Sequence, residues 1–157
     1  MIVALFVPCY IVQFYPQVAI ATLELLEKAG VEVVYPSRQT CCGQPMANSG
    51  FEHLTHDCDE LFTDNFGDYD YIVCPSGSCT LHIKDHLHSS DKEDKADHIR
   101  RHIYELTEFM TDILQVKQLN ARFPHKVGVH QSCHGQRGLK LSQMSELVAP
   151  PFSKPLQ

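Results

Sequence analysis

Two adjacent cysteines followed by glycine, Cys41-Cys42-Gly43, constrain this chain more than any other feature. Neighbouring cysteines seldom join to each other, because a disulfide needs a Cα separation and Cβ directions that adjacent residues rarely offer. Two thiols on one tight turn suit a metal better, above all a metal cluster with several corners to fill. Thirty-one residues separate Cys9 from the pair, and thirty-five separate Gly43 from Cys79. A fold that uses these thiols together must therefore bring distant segments to one place.

The chain of 157 residues is long enough for one core. Its net charge of −6 is spread along the sequence. No basic stripe points to nucleic acid, and no polybasic run points to an anionic membrane surface. The apolar start, Met1 to Val7, lacks a basic n-region and is far too short to span a bilayer. Pro8 directly before Cys9 argues against a lipoprotein cleavage site. A cytoplasmic location is therefore expected. In that compartment seven clustered cysteines mean metal or redox chemistry rather than disulfides.

Residues 2–7 form a continuous apolar run, as expected of a strand covered on both faces. Pro16 opens a helix, Val18, Ala21, Thr22, Leu25 and Ala29 give it a stripe, and Gly30 ends it. Val31 to Val34 reads as a second strand. Ser49 and Glu52 read as a capping box before a helix with Phe51, Leu54, Cys58, Leu61 and Phe62 on its apolar face. Tyr71 to Val73 is a third strand, followed by a loop in which Ser78 caps a helix from Cys79. Residues 89–97 read as a solvated connection, 99–114 as one long amphipathic helix, and Lys126 to His130 as a fourth strand.

Strands alternating with helices predict an α/β fold: a Rossmann-like parallel sheet built from βαβ units and flanked by helices. Cys9, Cys41-Cys42, Cys74/Cys79 and Cys133 each follow a different expected strand. In a parallel sheet those loops open on the same carboxyl edge, where α/β proteins bind ligands. Gly43 permits positive φ and close approach to a bulky anionic cluster. Cys79, at a helix start, has its thiolate stabilised by free N–H groups. Ser76, Gly77 and Ser78 offer donors to cluster sulfurs. Cys58 reads as a core thiol beside Leu54 and Leu61. Cys74 is either a ligand or the end of a strand. His82, His86, His88, His98 and His102 read as solvated side chains, because the helix carries no H-E-x-x-H motif.

Three further blocks extend the pattern: Leu5-Phe-Val-Pro-Cys9, Thr40-Cys-Cys-Gly-Gln-Pro45 and Pro75-Ser-Gly-Ser-Cys79. With them the chain resembles the cysteine-rich CCG-domain family of iron–sulfur oxidoreductases. Within it, the chain most resembles the lactate-utilisation and glycolate oxidase iron–sulfur subunits. The resemblance implies a 4Fe-4S type cluster held by Cys9, Cys41, Cys42 and Cys79, with Cys74 and Cys133 as further candidates. It implies an electron-transfer subunit of a cytoplasmic complex that oxidises L-lactate or a similar 2-hydroxy acid, and partners that are the other subunits. The family carries the CCG motif twice. Residues 1–125 then form the first CCG domain, and 126–157, with His130-Gln-Ser-Cys133-His134, open a second repeat that stops early. Self-association over an exposed face is one expected consequence. Two other readings stand beside this one: a structural zinc site of four cysteines, and a thiol-redox module using Cys41 and Cys42.

Overall fold

The computed structural model describes residues 1–117, 119 and 132–139. Four short parallel strands form one sheet: β1 (Ile2–Leu5), β2 (Glu32–Val34), β3 (Ile72–Cys74) and β4 (Ile103–Glu105). Their spatial order is β2-β1-β3-β4. Register is set by Val3 opposite Val33, Leu5 opposite Val73, and Val73 opposite Tyr104. The chain runs from β1 outward to β2, then crosses back to β3 on the other side of β1. The strand order therefore reverses between β1 and β3, and ligand crevices of open α/β sheets lie at such a point.

Helices cover both faces of the sheet. On one face Ala4, Phe6, Ile72 and Ile103 pack with Phe62 and Phe66 of α4 (His56–Phe66), Ile83 of α5 (Gly77–His86) and Ile99 of α6 (Glu93–His102). Phe6 meets Phe62 edge-on, with ring centroids 4.8 Å apart. On the other face Val3, Leu5 and Val73 pack with Ile11 of α1 (Cys9–Phe14) and Leu26 of α2 (Pro16–Lys28). Phe109 and Met110, in a wide turn that continues α7 (Leu106–Glu108), complete that side. The alternation of Val3/Leu5 with Ala4/Phe6 explains why β1 is apolar at every position, since both of its faces are buried.

Several sequence expectations change. The helix expected over 99–114 is two helices separated by β4. Ile103, Tyr104 and Glu105 are drawn out by pairing with β3, although the spacing of Ile99, Ile103, Leu106 and Met110 also fits a helix. α6 starts at Glu93, inside the stretch expected to be a solvated connection, with acids in its first turn and bases in its last. Helix α5 starts at Gly77 with Ser76 before it, so Ser78 lies inside the first turn and is not the cap. The first cysteine opens helix α1 where a loop was expected.

The stripe of α2 is also rotated. Thr22 and Leu26 are buried, and Ala19 and Leu23 pack beside them, while Ala21 and Ala29 face solvent. Ser49 caps no helix start. Its hydroxyl donates to the Pro45 carbonyl at 2.8 Å and closes α3 (Gln44–Asn48), a helix set off by Gly43 and Pro45. Phe51 and Leu54 are exposed, and the buried face of α4 is Asp59, Phe62, Thr63 and Phe66. The strand expected at Lys126 to His130 lies outside the described residues.

Candidate functional site

The carboxyl ends of β1 and β3 lead directly into Cys9 and Cys79. Pro8 precedes α1, and its carbonyl accepts from the Ile11 and Val12 N–H groups. Cys9 is thereby fixed as the first residue of that helix. β3 ends at Cys74, and the Pro75-Ser76 turn leads into α5, whose third residue is Cys79. Cys79 sits among the unpaired N–H groups of the first helical turn.

The CCG turn arrives from β2. It is tied to β1 by Gln39, whose carboxamide accepts from Val7 N–H at 2.8 Å and donates to the Leu5 carbonyl at 2.7 Å. Gln39 thus continues the hydrogen-bond ladder where β2 has stopped. These contacts make Gln39 a side chain that shapes the turn.

Gly43 has φ +84° and stands at the start of α3. A Cβ there would lie 3.0 Å from Thr55 Cγ2 and 3.6 Å from His82 Nε2. Both the backbone angle and the space behind the turn therefore require glycine.

The adjacent cysteines face different partners. Cys41 stands beside Cys9, and Cys42 beside Cys79. Cys42 and Cys79 are buried, Cys41 is half-buried and Cys9 is exposed. The Cys79 sulfur beside it holds the Cys42 thiol far above its ordinary range, with burial adding to the effect. Cys42 in turn lowers Cys79 to about 7 against the cost of burial, helped by the Ser76 and Ser78 hydroxyls. The Cys9 thiol is raised by partial desolvation, then by the Cys41 and Cys79 sulfurs near it. Backbone N–H groups of Tyr10 and Gln44 point at the Cys9 and Cys42 sulfurs.

The remaining cysteines differ. Cys74 is fully buried among Ile72, Phe62 and Ile83, and its Sγ donates to the Ser76 carbonyl at 3.7 Å. Burial pushes its thiol well up. Cys58 is half-buried on α4, raised by desolvation and next by the charge of Cys41, so it lies nearer the CCG turn than its sequence spacing suggests. Cys133 is exposed. The turn that follows it packs against the start of α5, with a Cβ on Gly77 reaching 3.8 Å from Gly135 Cα.

Two residues near the site were not expected there. His82 is 6% exposed rather than solvated, stacked on His86 with ring centroids 5.0 Å apart, and burial lowers its pKa. Tyr10 has a hydroxyl raised by partial desolvation, with Ser76 acting the other way. Neither stands in a recognisable motif. Only their positions four residues before His86 and one after Cys9 relate them to the turn.

Among the described residues no group of three or more Cys, His, Asp or Glu side chains stands ready to hold a metal ion. The four thiols form two pairs and not one closed tetrahedron. Four sulfurs can hold a single zinc only if all are drawn to about 2.3 Å from one point. A cluster takes each thiolate at a separate iron. The donor set is wholly sulfur, with N–H and O–H groups directed at it, which suits soft, thiolate-bound metal. Among the described residues, no helix is long and apolar enough to cross a membrane.

The family model of the cysteine-rich domain, CCG, matches residues 3–84, more than half of the chain. Similar curated proteins include lactate utilization protein A of Geobacillus thermodenitrificans, 40% identical over 139 residues, and that of Bacillus subtilis, 41% identical over 139 residues. The same protein of an Exiguobacterium species is 43% identical over 141 residues. Each match covers 86% of this chain and 58% of the relative, so the chain spans little more than half the length of these relatives. No solved structure matches. Two thiol pairs from three separate segments meet at the edge where the strand order reverses, and the family match runs from β1 through Cys79 into α5: the chain belongs to the CCG cysteine-rich domain family.

Proposed function

We propose that this chain is an iron–sulfur electron-transfer component of a cytoplasmic complex that oxidises L-lactate, or a similar 2-hydroxy acid such as glycolate, to the 2-oxo acid. The observation that carries the reading is the paired approach of Cys9 to Cys41 and of Cys42 to Cys79. The lactate assignment is supported by the names of the similar proteins. Cys9, Cys41, Cys42 and Cys79 would hold the group, with Cys74 and Cys133 outside that set. A bound cluster supplies one-electron chemistry: it accepts an electron and passes it on.

The chain's own residues do the rest. Gly43 keeps the turn free of a side chain on its Thr55 side. Ser76 and Ser78 donate hydroxyls towards the Cys79 sulfur, and the start of α5 around Gly77 adds its helix N-terminus. Donors to thiolate sulfur stabilise negative charge and so favour the reduced centre. Burial of Cys42 and Cys79 lowers the local dielectric, while exposed Cys9 leaves one side open for electron exchange. Oxidation of the hydroxy acid is assigned to a partner subunit of the same complex. Residues 126–157 are read as the opening of a second CCG repeat.

The test is anaerobic reconstitution with ferrous iron and sulfide. Iron and acid-labile sulfide should be retained in similar amounts, and a Cys42→Ser variant should lose most of both. Cys58→Ser should keep them. A protein that retains neither under these conditions is not an iron–sulfur carrier.

A further inference from the structure

The back of the CCG turn is closed by two buried polar side chains that none of the chemistry above uses. Thr55 is 5% exposed and His82 6%. Seen from Gly43, Thr55 Cγ2 lies 3.0 Å and Thr55 Cβ 3.1 Å from the place a Cβ would take, with His82 Nε2 at 3.6 Å. Each is held in turn from behind. The Thr55 hydroxyl lies 2.9 Å from the Glu52 carbonyl and 3.0 Å from Asp59 Oδ2. His82 stacks on His86, whose Nδ1 is 3.0 Å from Glu52 Oε1. Thr55 and His82 belong to different elements, the start of α4 and the middle of α5, and both stand behind Gly43.

We propose that Thr55 and His82 are positioning residues of the cysteine centre: they press on Gly43 from behind and so fix where Cys42 stands against Cys79. The physical reason is close packing. A glycine in the left-handed region has no side chain to limit its movement, so its neighbours must do so. Cys42 is covalently next to Gly43, and its sulfur has to meet Cys79 from the other side of the turn. A shift of the turn towards α4 would open the Cys42–Cys79 pair.

Hydrogen-bond counting shows how firmly Thr55 is held. A hydroxyl has one proton, and both of its neighbours here are oxygen acceptors. Either Thr55 shares its proton between them, or it donates to Glu52 O while Asp59 carries a proton of its own. In both cases the threonine rotamer is fixed from two sides, and its methyl is aimed at Gly43. Asp59 and His86 line a hollow of about 470 Å³ on the far side. The wall is therefore one side chain thick between the turn and open space.

The part of this inference that concerns cluster properties rests on reading the cysteines as an iron–sulfur centre. The part that concerns the turn does not, and two measurements separate them. In the reduced, metal-free 157-residue chain, alkylation of Cys42 by iodoacetamide is followed by peptide mass spectrometry. Thr55→Ser, which removes the methyl facing Gly43 but keeps the hydroxyl, should raise the Cys42 rate severalfold. Thr55→Val, which keeps that methyl, should leave the rate near wild type. His82→Ala should raise it, and His82→Gln should restore it in part. The opposite order for Ser and Val, or no change in any variant, overturns the proposal.

In the reconstituted chain, Thr55→Ser and His82→Ala should retain iron but shift the paramagnetic resonance signal and the midpoint potential. An unshifted signal would count against the inference alone. A wild type that takes up no iron and sulfide would count against the proposed function, and the alkylation order would still decide the inference.

Discussion

Gln39 is bonded to Val7 as a strand would be: its Oε1 accepts the Val7 N–H at 2.8 Å while its Nε2 donates to Leu5 at 2.7 Å. One side chain from the segment between β2 and the CCG turn thus completes the edge of β1. Cys9 follows Val7 by two residues, and Cys41 follows Gln39 by two. The bond therefore joins the two segments whose thiols pair.

Gln39→Leu leaves the buried Val7 N–H and Leu5 carbonyl without partners. Each orphaned backbone group costs roughly 1–3 kcal/mol, reduced where water reaches it. Urea unfolding under reducing conditions should show a loss of about 2 kcal/mol. A loss indistinguishable from zero would mean that water replaces the amide and that the bond does not hold the loops together.

Much of this arrangement was legible in the residues. The unbroken apolar run of β1 announced a strand buried on both faces, and Pro16 and Gly30 bracketed α2. Element order alone placed Cys9, the CCG pair and Cys79 after three strands of one parallel sheet. What could not be read was tertiary. Ile103, Tyr104 and Glu105 carry a helical spacing, and only pairing with β3 makes them a strand. His82 has the sequence context of a solvated helix face, yet the CCG turn folds over it. The split of Cys41 towards Cys9 and Cys42 towards Cys79 depends on the turn that Gly43 makes, which no spacing encodes.

Gly43→Ala adds a methyl where φ is +84° and Thr55 Cγ2 is 3.0 Å away. The left-handed backbone alone costs about 1–2 kcal/mol for a residue with a Cβ, and Thr55, held by Glu52 and Asp59, has little room to move. The variant should lose on the order of 2 kcal/mol in urea. It should also retain much less iron after reconstitution. Gly50→Ala is the control, because φ is +86° there but nothing among the described residues lies within 4 Å of an added Cβ. It should lose stability and keep its iron.

Asp59 is 7% exposed, and burial raises its carboxyl to about 6, while Thr55, His88 and His56 act the other way. An acid whose folded pKa exceeds its unfolded value near 3.9 holds its proton more tightly when folded. Its stabilising contribution is complete below about pH 4 and is lost as pH rises through about 6. Wild type should therefore lose on the order of 2 kcal/mol between pH 4.5 and pH 8 relative to Asp59→Asn. Parallel pH profiles for the two proteins would show that Asp59 is ionised without cost.

Thr63 is fully buried on α4, and among the described residues its hydroxyl has no hydrogen-bond partner. An unpartnered buried hydroxyl costs about 1 kcal/mol or more relative to an apolar group of the same shape. Thr63→Val should raise the thermal midpoint by a few degrees, as expected for a gain of about 1 kcal/mol. A lower midpoint would mean that the hydroxyl has a partner in solution.

In the proposed function, four thiols from three separate segments form one iron–sulfur centre. Anaerobic reconstitution of the 157-residue chain, followed by iron and sulfide analysis and a paramagnetic resonance spectrum of the dithionite-reduced protein, tests it most directly. Comparable iron and acid-labile sulfide and a cluster signal are expected, with loss of both in Cys42→Ser but not in Cys58→Ser. A colourless protein holding a single zinc, with no labile sulfide and no signal, would contradict it.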